Sequence, residues 1–320
     1  MKRAFIFILL FLAGTVYSQD RRKITIGLVA KSQSNAVFQA AYAGAKDAAK
    51  ELGDKYNADI TIDWQTPTDE DAQKQAEAID GLVLSGAQGI AVSCSEANTL
   101  TPAINRAVNA GIPVMCFDSD APRSKRFCYY GTDSFTCGQT VMKELAHAMG
   151  EKGIVAILAG NQSAPNLQKR VDGVRAELKK HPGIQELNNG NGVFYHPETP
   201  EDAARAMQSA QTTNPQITGW ALIGGWPLFT KGAIKTPPGQ VTIVSVDALP
   251  AQLGYLEDGY VEALYAQDCY GWGHKSVEIL LEKIINGKDP AQTNMIDPLT
   301  KVTKENVKEF AKNWDKWLGK

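Results

Sequence analysis

Along this chain, short apolar runs keep stopping on side chains that hydrogen-bond or stack. The run in GIPVMCFDSD ends on Asp118, Ser119 and Asp120, and the run Val241–Val246 ends on Asp247. Asn35 follows the first run, Trp64 closes the second, Ser93 closes the third, Gly225 with Trp226 follow Trp220–Ile223, and Gln267 follows Val261–Ala266. Arg170 stands just beyond the polar loop GNQSAPN, residues 160–166. Carboxylates and amides exchange hydrogen bonds with hydroxyl groups, a guanidinium donates in a planar fork, and an indole covers an apolar ring face. Such a set suits reversible capture of a small polyhydroxylated molecule.

Catalysis asks for more than this set provides. No G-x-S-x-G, no G-x-x-x-x-G-K and no G-x-G-x-x-G follows any of the runs, so activated-serine, phosphate-loop and dinucleotide chemistry are not expected. The enzyme alternative is a glycosidase using Asp118 and Asp247 as its carboxylate pair, which turns on their separation. Four scattered histidines and the lack of any C-x-x-C give no metal site, and no cofactor is expected. A formal charge of −2 offers no basic face for nucleic acid.

The elements that must position these residues alternate. Strand-like runs at residues 23–29, 60–64, 89–93 and 114–117 are separated by helical patterns over 36–52, 68–84 and through Leu100 and Val108, with Thr68 and Asp71 read as a capping box, Gly53 as a carboxyl cap, and Gly111 closing the third helix. From residue 127 the alternation starts afresh, with strands at 154–158, 193–196, 220–223, 241–246 and 261–266. Helices are read at 140–149, 167–179, 203–211, 228–234, 276–285 and 303–318. Alternation at this spacing implies right-handed crossovers and parallel sheets, and 320 residues suffice for two lobes. The fold class is α/β, two doubly wound parallel-sheet lobes. In such sheets ligands collect at the carboxyl ends of the strands, where these polar residues fall.

The amino terminus reads as a signal peptide over residues 1–18. Lys2 and Arg3 precede an apolar run from Ala4 to Ala13, too short to span a bilayer at about 20 residues, and Val16 and Ser18 fit a cleavage site. Export to the periplasm is expected, without a lipidated cysteine. Five cysteines, Cys94, Cys116, Cys128, Cys137 and Cys269, leave at least one thiol free in a monomer, and spacing assigns no pairs.

The strings IGLVAKSQSNAVF, GIPVMCFDSDAP, RVDGV, IVSVDALP and ALYAQ, in this order, resemble the type I periplasmic sugar-binding proteins, the ribose-binding protein family. The resemblance implies three crossing strands as a hinge, one lobe at 22–131 plus 268–292, and the other at 132–267 plus 293–320. It implies ligand contacts from Asn35, Phe38, Ser93, Asp118 with Ser119, Arg170, Trp226, Asp247 and Gln267. Ser93 stands where the ribose binder has asparagine, Ser119 where it has arginine, and Gly224–Trp226 where it has an Asn-Asp pair. Trp64, in DWQTPTDED, and DSDAP also resemble the branch that includes autoinducer-2 binders. The implied partners are a monosaccharide or polyol, the permease of an ABC importer and a chemoreceptor, with the protein a monomer. The sensing lobes of transcription regulators share this fold but would not carry a leader.

Overall fold

A computed structural model describes residues 20–317. The expected signal peptide lies outside the described residues. The first lobe opens with β1 (Arg22–Val29), α1 (Ala36–Tyr56), β2 (Ala58–Trp64), α2 (Ala72–Leu84), β3 (Gly89–Val92), α3 (Ala97–Asn109), β4 (Val114–Phe117) and β5 (Cys128–Gly131). The second follows with α4 (Ser134–Ala148), β6 (Gly153–Ala159), α5 (Pro165–Leu178), β7 (Ile184–Glu186), β8 (Val193–Tyr195), α6 (Pro200–Thr213), β9 (Gly219–Leu222), β10 (Thr242–Val246), α7 (Pro250–Glu257) and β11 (Ala263–Ala266). The chain then returns through α8 (Cys269–Asn286) and β12 (Asn294–Ile296), and ends with β13 (Thr300–Val302) and α9 (Val307–Trp317).

The two sheets repeat one plan. The first runs β12-β5-β4-β3-β1-β2, parallel throughout, and the second runs β13-β11-β10-β9-β6-β7 with β8 also beside β6. Among the described residues only β13 lies antiparallel, against β11 at the edge. Strand order reverses between β1 and β3 in one lobe and between β6 and β9 in the other. The crevice at each switch point opens at the strands' carboxyl ends.

Burial explains the strand sequences. β3, β4, β5, β9 and β11 are buried along their whole length, as strands covered by helices on both faces must be, and they read as continuous apolar runs. α1 packs on α8 in one lobe and α4 on α5 in the other. Both pairs cross on glycine: a Cβ on Gly273 would fall 1.7 Å from the Ala41 carbonyl oxygen, and one on Gly138 would fall 2.0 Å from that of Arg170.

Among the described residues three segments cross between the lobes, after β5, after β11, and between β12 and β13. The third lies later than the expected boundary at residue 293, because Asn294, Met295 and Ile296 stay paired with Tyr129, Tyr130 and Gly131 in the first sheet. α9 belongs to neither lobe alone. Its Trp314 Nε1 donates to the Ala248 carbonyl at 2.7 Å in the second lobe, while Trp317 stacks on Tyr270 of α8 in the first.

Other local readings are corrected. The helix expected at 228–234 is a single 3-10 turn, Trp226–Phe229, because Pro227 starts it and Gly232 at φ 71° cannot continue it. Asp71, not Thr68, caps α2 by accepting from the Lys74 amide, and α1 runs past Gly53 to end on Asn57 in the left-handed region. The short strand β7 was not legible as a separate run.

Candidate functional site

In the first lobe the ends of β1 and β3 are tied together by a buried glutamine. Gln75 Nε2 donates to the carbonyls of Ala30 and Ser93, and its Oε1 accepts from the Ser95 amide. Ser93, fixed in this way, donates through Oγ to Asp118 Oδ2 at 2.8 Å. Asp118 holds a left-handed backbone, φ 55°. Its amide donates to Tyr130 and its carbonyl accepts from the Tyr129 hydroxyl. A non-glycine residue there is strained, and neighbours on three sides hold it.

The second lobe repeats the device. Gln252 Nε2 donates to the carbonyls of Val246 and Asp247, and Asp247 also lies in the left-handed region, φ 67°. Its Oδ2 accepts from the Gly225 amide at 3.1 Å and its Oδ1 from Gln267 Nε2 at 2.8 Å. Gln267 Oε1 in turn accepts from Arg170, whose other terminal nitrogen donates to the Ile223 carbonyl. Burial raises the Asp247 carboxyl pKa against the pull of Arg170. Neither Asp118 nor Asp247 caps a helix.

The lobes meet through side chains. Asn166 Nδ2, at the start of α5, reaches Asp118 Oδ1 at 3.4 Å, and Asn161 donates to Glu70 at 3.2 Å. Lys31, just past β1, lies 3.5 Å from Glu198, and both side chains are buried. Burial alone would lower the Lys31 pKa, but Glu198, Glu70 and Asp118 outweigh it and hold the ammonium charged. Glu198 is pushed up to about 7, by burial first and then by Glu70 and Asp118 against Lys31. Two cavities flank this contact. One of about 540 Å³ is lined by Ser32, Glu70, Asn161, His196 and Glu198, and one of about 230 Å³ by Asp118, Asn166, Thr132, Lys169 and Asn294.

Ser93, Asp118, Arg170, Asp247 and Gln267 are thus brought to one place, close enough that the charges of Asp118, Arg170 and Asp247 act on one another. Ser119 Oγ and Arg170 Nε are buried there without a hydrogen-bond partner. Trp226 lies over Gly224 and Gly160 and meets His196 edge-on at 5.2 Å. Asn35 caps α1 through the Val37 amide, and Phe38 packs in the core against Trp272. Trp64 is directed onto α1, stacked on Tyr42 with ring centroids 4.1 Å apart. Lys31, Glu70 and Glu198 were not read from the sequence, although Lys31 and Glu198 carry the same signal as Asp118, a polar residue just beyond a strand. Asn161 and Asn166 lie in the loop the sequence singles out.

Comparison with known proteins supplies the family. The family model described as a periplasmic binding protein domain matches residues 26–289. A xylose/arabinose-binding protein of Sulfolobus acidocaldarius is 24% identical over 66% of this chain, a match spanning 56% of that relative's length. A D-ribose/D-allose-binding protein of Pseudomonas aeruginosa is 25% identical over 78% of this chain and 79% of its own. Among solved structures, an ABC transporter solute-binding protein of Burkholderia graminis in complex with D-arabinose superposes with a TM-score of 0.82 at 25% identity, covering 90% of this chain and 98% of that one. With its two parallel-sheet lobes and matching family model, the chain belongs to the periplasmic binding protein family, in its type I sugar-binding branch.

Proposed function

We propose that this protein captures a monosaccharide or related small polyol, with pentoses the first candidates, between its lobes and delivers it to the permease of an ABC importer. The observation that carries the reading is the facing pair of fixed polar groups: Ser93–Asp118 on one lobe, and the Arg170–Gln267–Asp247 line on the other. Each group is held by backbone and buried glutamine rather than by solvent, so it meets a ligand already oriented and binding costs little reordering. The sugar names borne by the relatives support the substrate class.

Ligand that touches both lobes stabilises the closed hinge because it binds that form better than the open one. The closed form then presents both lobes together to a membrane partner, the permease, with a chemoreceptor a second reader of the same surface. We read the protein as an exported, monomeric binder rather than an enzyme, as its relatives are binding proteins. Calorimetric titration of ligand-stripped protein with D-arabinose, D-xylose, D-ribose, D-allose and xylitol tests the proposal. Tight binding of one isomer over its epimers supports it. Heat from none of them, in folded protein, overturns it.

A further inference from the structure

The first lobe holds two cysteines in contact directly beneath the ligand-facing residues. Cys94 Sγ and Cys116 Sγ lie 3.9 Å apart, and both side chains are fully buried. Cys94 follows Ser93 at the end of β3, and its amide donates to the Ser119 carbonyl. Cys116 sits on the neighbouring strand β4, two residues before Asp118, opposite Val92. We propose that Cys94 and Cys116 form a structural disulfide when the chain folds under oxidising conditions, and that the bridge pins the strand ends carrying Ser93 and Asp118.

The pairing follows from the faces of the sheet. Cys94 and Cys116 pack with Val92, Leu100 and Ile104 on the face covered by α2 and α3. Cys128, on the next strand, packs with Met115 and Phe117 on the opposite face, because side chains alternate along a strand. A β-sheet backbone therefore lies between Cys116 and Cys128, and Cys94 is the partner on the same side. To reach bonding length the two sulfurs approach by about 2 Å, a shift within reach of rotation about two χ1 angles and small movement of the loop after β3. Three of the five cysteines then remain thiols, in keeping with the odd number.

The chemistry is thiol–disulfide exchange. One cysteine thiolate attacks the disulfide of an oxidant, glutathione disulfide in vitro or an oxidising dithiol protein in an export compartment, and a mixed disulfide forms as one oxidant thiolate leaves. The second cysteine thiolate displaces the other. Two thiol protons are released to solvent, and the two electrons end on the oxidant, which departs as two thiols or thiolates. Hydrogen bonding to Cys116, then burial, raises the Cys94 thiol pKa well above its ordinary value, so the folded dithiol resists attack. Oxidation accordingly belongs to folding, before α2 and α3 close over the strands.

The cellular setting rests on the exported reading above. The refolding test does not, and it is read without sugar, so the two proposals fail separately. Full-length mature protein is unfolded, reduced, and refolded in either glutathione redox buffer or dithiothreitol. Thiols are then counted by maleimide mass shift in denaturant. Three thiols after oxidative refolding against five after reducing refolding, a peptide map joining Cys94 to Cys116, and a higher melting temperature for the oxidised form are expected. Cys94→Ala and Cys116→Ala each lose the bridge and the melting shift. Five thiols after oxidative refolding, or a bridge joining any other pair, overturns the proposal, and because both readouts are made on the unmutated chain a variant that fails to fold leaves the test intact.

Discussion

Lys31 Nζ, from the first lobe, lies 3.5 Å from Glu198 Oε1 of the second, and only 3% and 7% of the two side chains are exposed. Neither residue could be buried in this way with the lobes apart, so the contact belongs to the closed arrangement. Burying the Lys31 ammonium without an acceptor facing it is costly, so a contact that supplies one from the other lobe favours this separation of the lobes. Glu70 and Asp118 lie near enough to act on both.

This pair makes closure dependent on pH. Solvation with the lobes apart is expected to return Glu198 toward its ordinary value of 4.5, against about 7 in the buried contact. The closed form therefore binds more protons between those values. Its Glu198 contribution is fully present below 4.5 and is lost as pH rises through about 7. With Glu198 fully coupled to closure, sugar affinity is expected to weaken by about 25-fold from pH 5.5 to pH 8. Asp247, also raised by burial, acts in the same direction, while His196, lowered by burial, opposes it at acid pH. Glu198→Gln should flatten the profile above pH 5.5. Calorimetric dissociation constants across this range check it, and a wild-type profile equal to that of the variant refutes the linkage.

Arg170 holds the second lobe's polar line by two of its nitrogens and balances Asp118 and Asp247 at longer range. Arg170→Met removes that charge and leaves Gln267 Oε1 and the Ile223 carbonyl unpaired in a buried site. We expect a loss of about 3 kcal/mol in unfolding free energy and no sugar-induced rise in melting temperature. Urea unfolding with and without ligand measures both. A variant within 0.5 kcal/mol of wild type, roughly the level of surface substitutions, would show that the arginine is merely accommodated.

Some of this site was legible before the structure, for a physical reason. A strand covered on both faces must be apolar until it ends, so the first polar residue after it marks the sheet edge where ligands collect. Asp118, Asp247, Ser93 and Gln267 were found in that way. Lys31 and Glu198 carry the same mark, but their pairing exists only once two lobes are placed face to face, and no local spacing contains that information. Trp64 ends an edge strand, where an aromatic can turn to the cleft or to the covering helix; Tyr42 on α1 decides it. At residues 228–234, Phe229 and Ala233 stand at the i, i+4 spacing of a helix across a segment that Gly232 breaks after the short turn started by Pro227.

Asp247 is held by the Gly225 amide and by Gln267, and its backbone is in the left-handed region. Asp247→Ala leaves both donors unpaired and puts alanine at a φ it tolerates poorly. Binding should weaken by about 2 kcal/mol or more. Asp247→Asn keeps an acceptor and a residue type that enters this region more readily, so the fold should survive with a smaller loss. Titration of both variants with the best sugar separates the roles. Equal affinity in Asp247→Ala and wild type would remove Asp247 from the site.

Gly138 controls the site from behind. On α4 it lies against α5 where Arg170 emerges, and an added Cβ would sit 2.0 Å from the Arg170 carbonyl oxygen. That oxygen is backbone and cannot swing away, so α4 and α5 must separate by about 1 Å or more to restore van der Waals distance. Gly138→Ala should cost about 1–3 kcal/mol of stability through overpacking, although alanine is the better helix former. Because the shift carries Arg170 with it, sugar affinity should fall even though Gly138 touches no ligand-facing side chain. In Gly273→Ala, the equivalent change at the α1–α8 crossing, the Cβ meets the Ala41 carbonyl instead, and Arg170 is left in place. Comparable stability losses in the two variants, with affinity reduced more in Gly138→Ala, are the expected result of parallel melting and titration. Equal affinities would mean that the spacing of α4 and α5 does not set the position of Arg170.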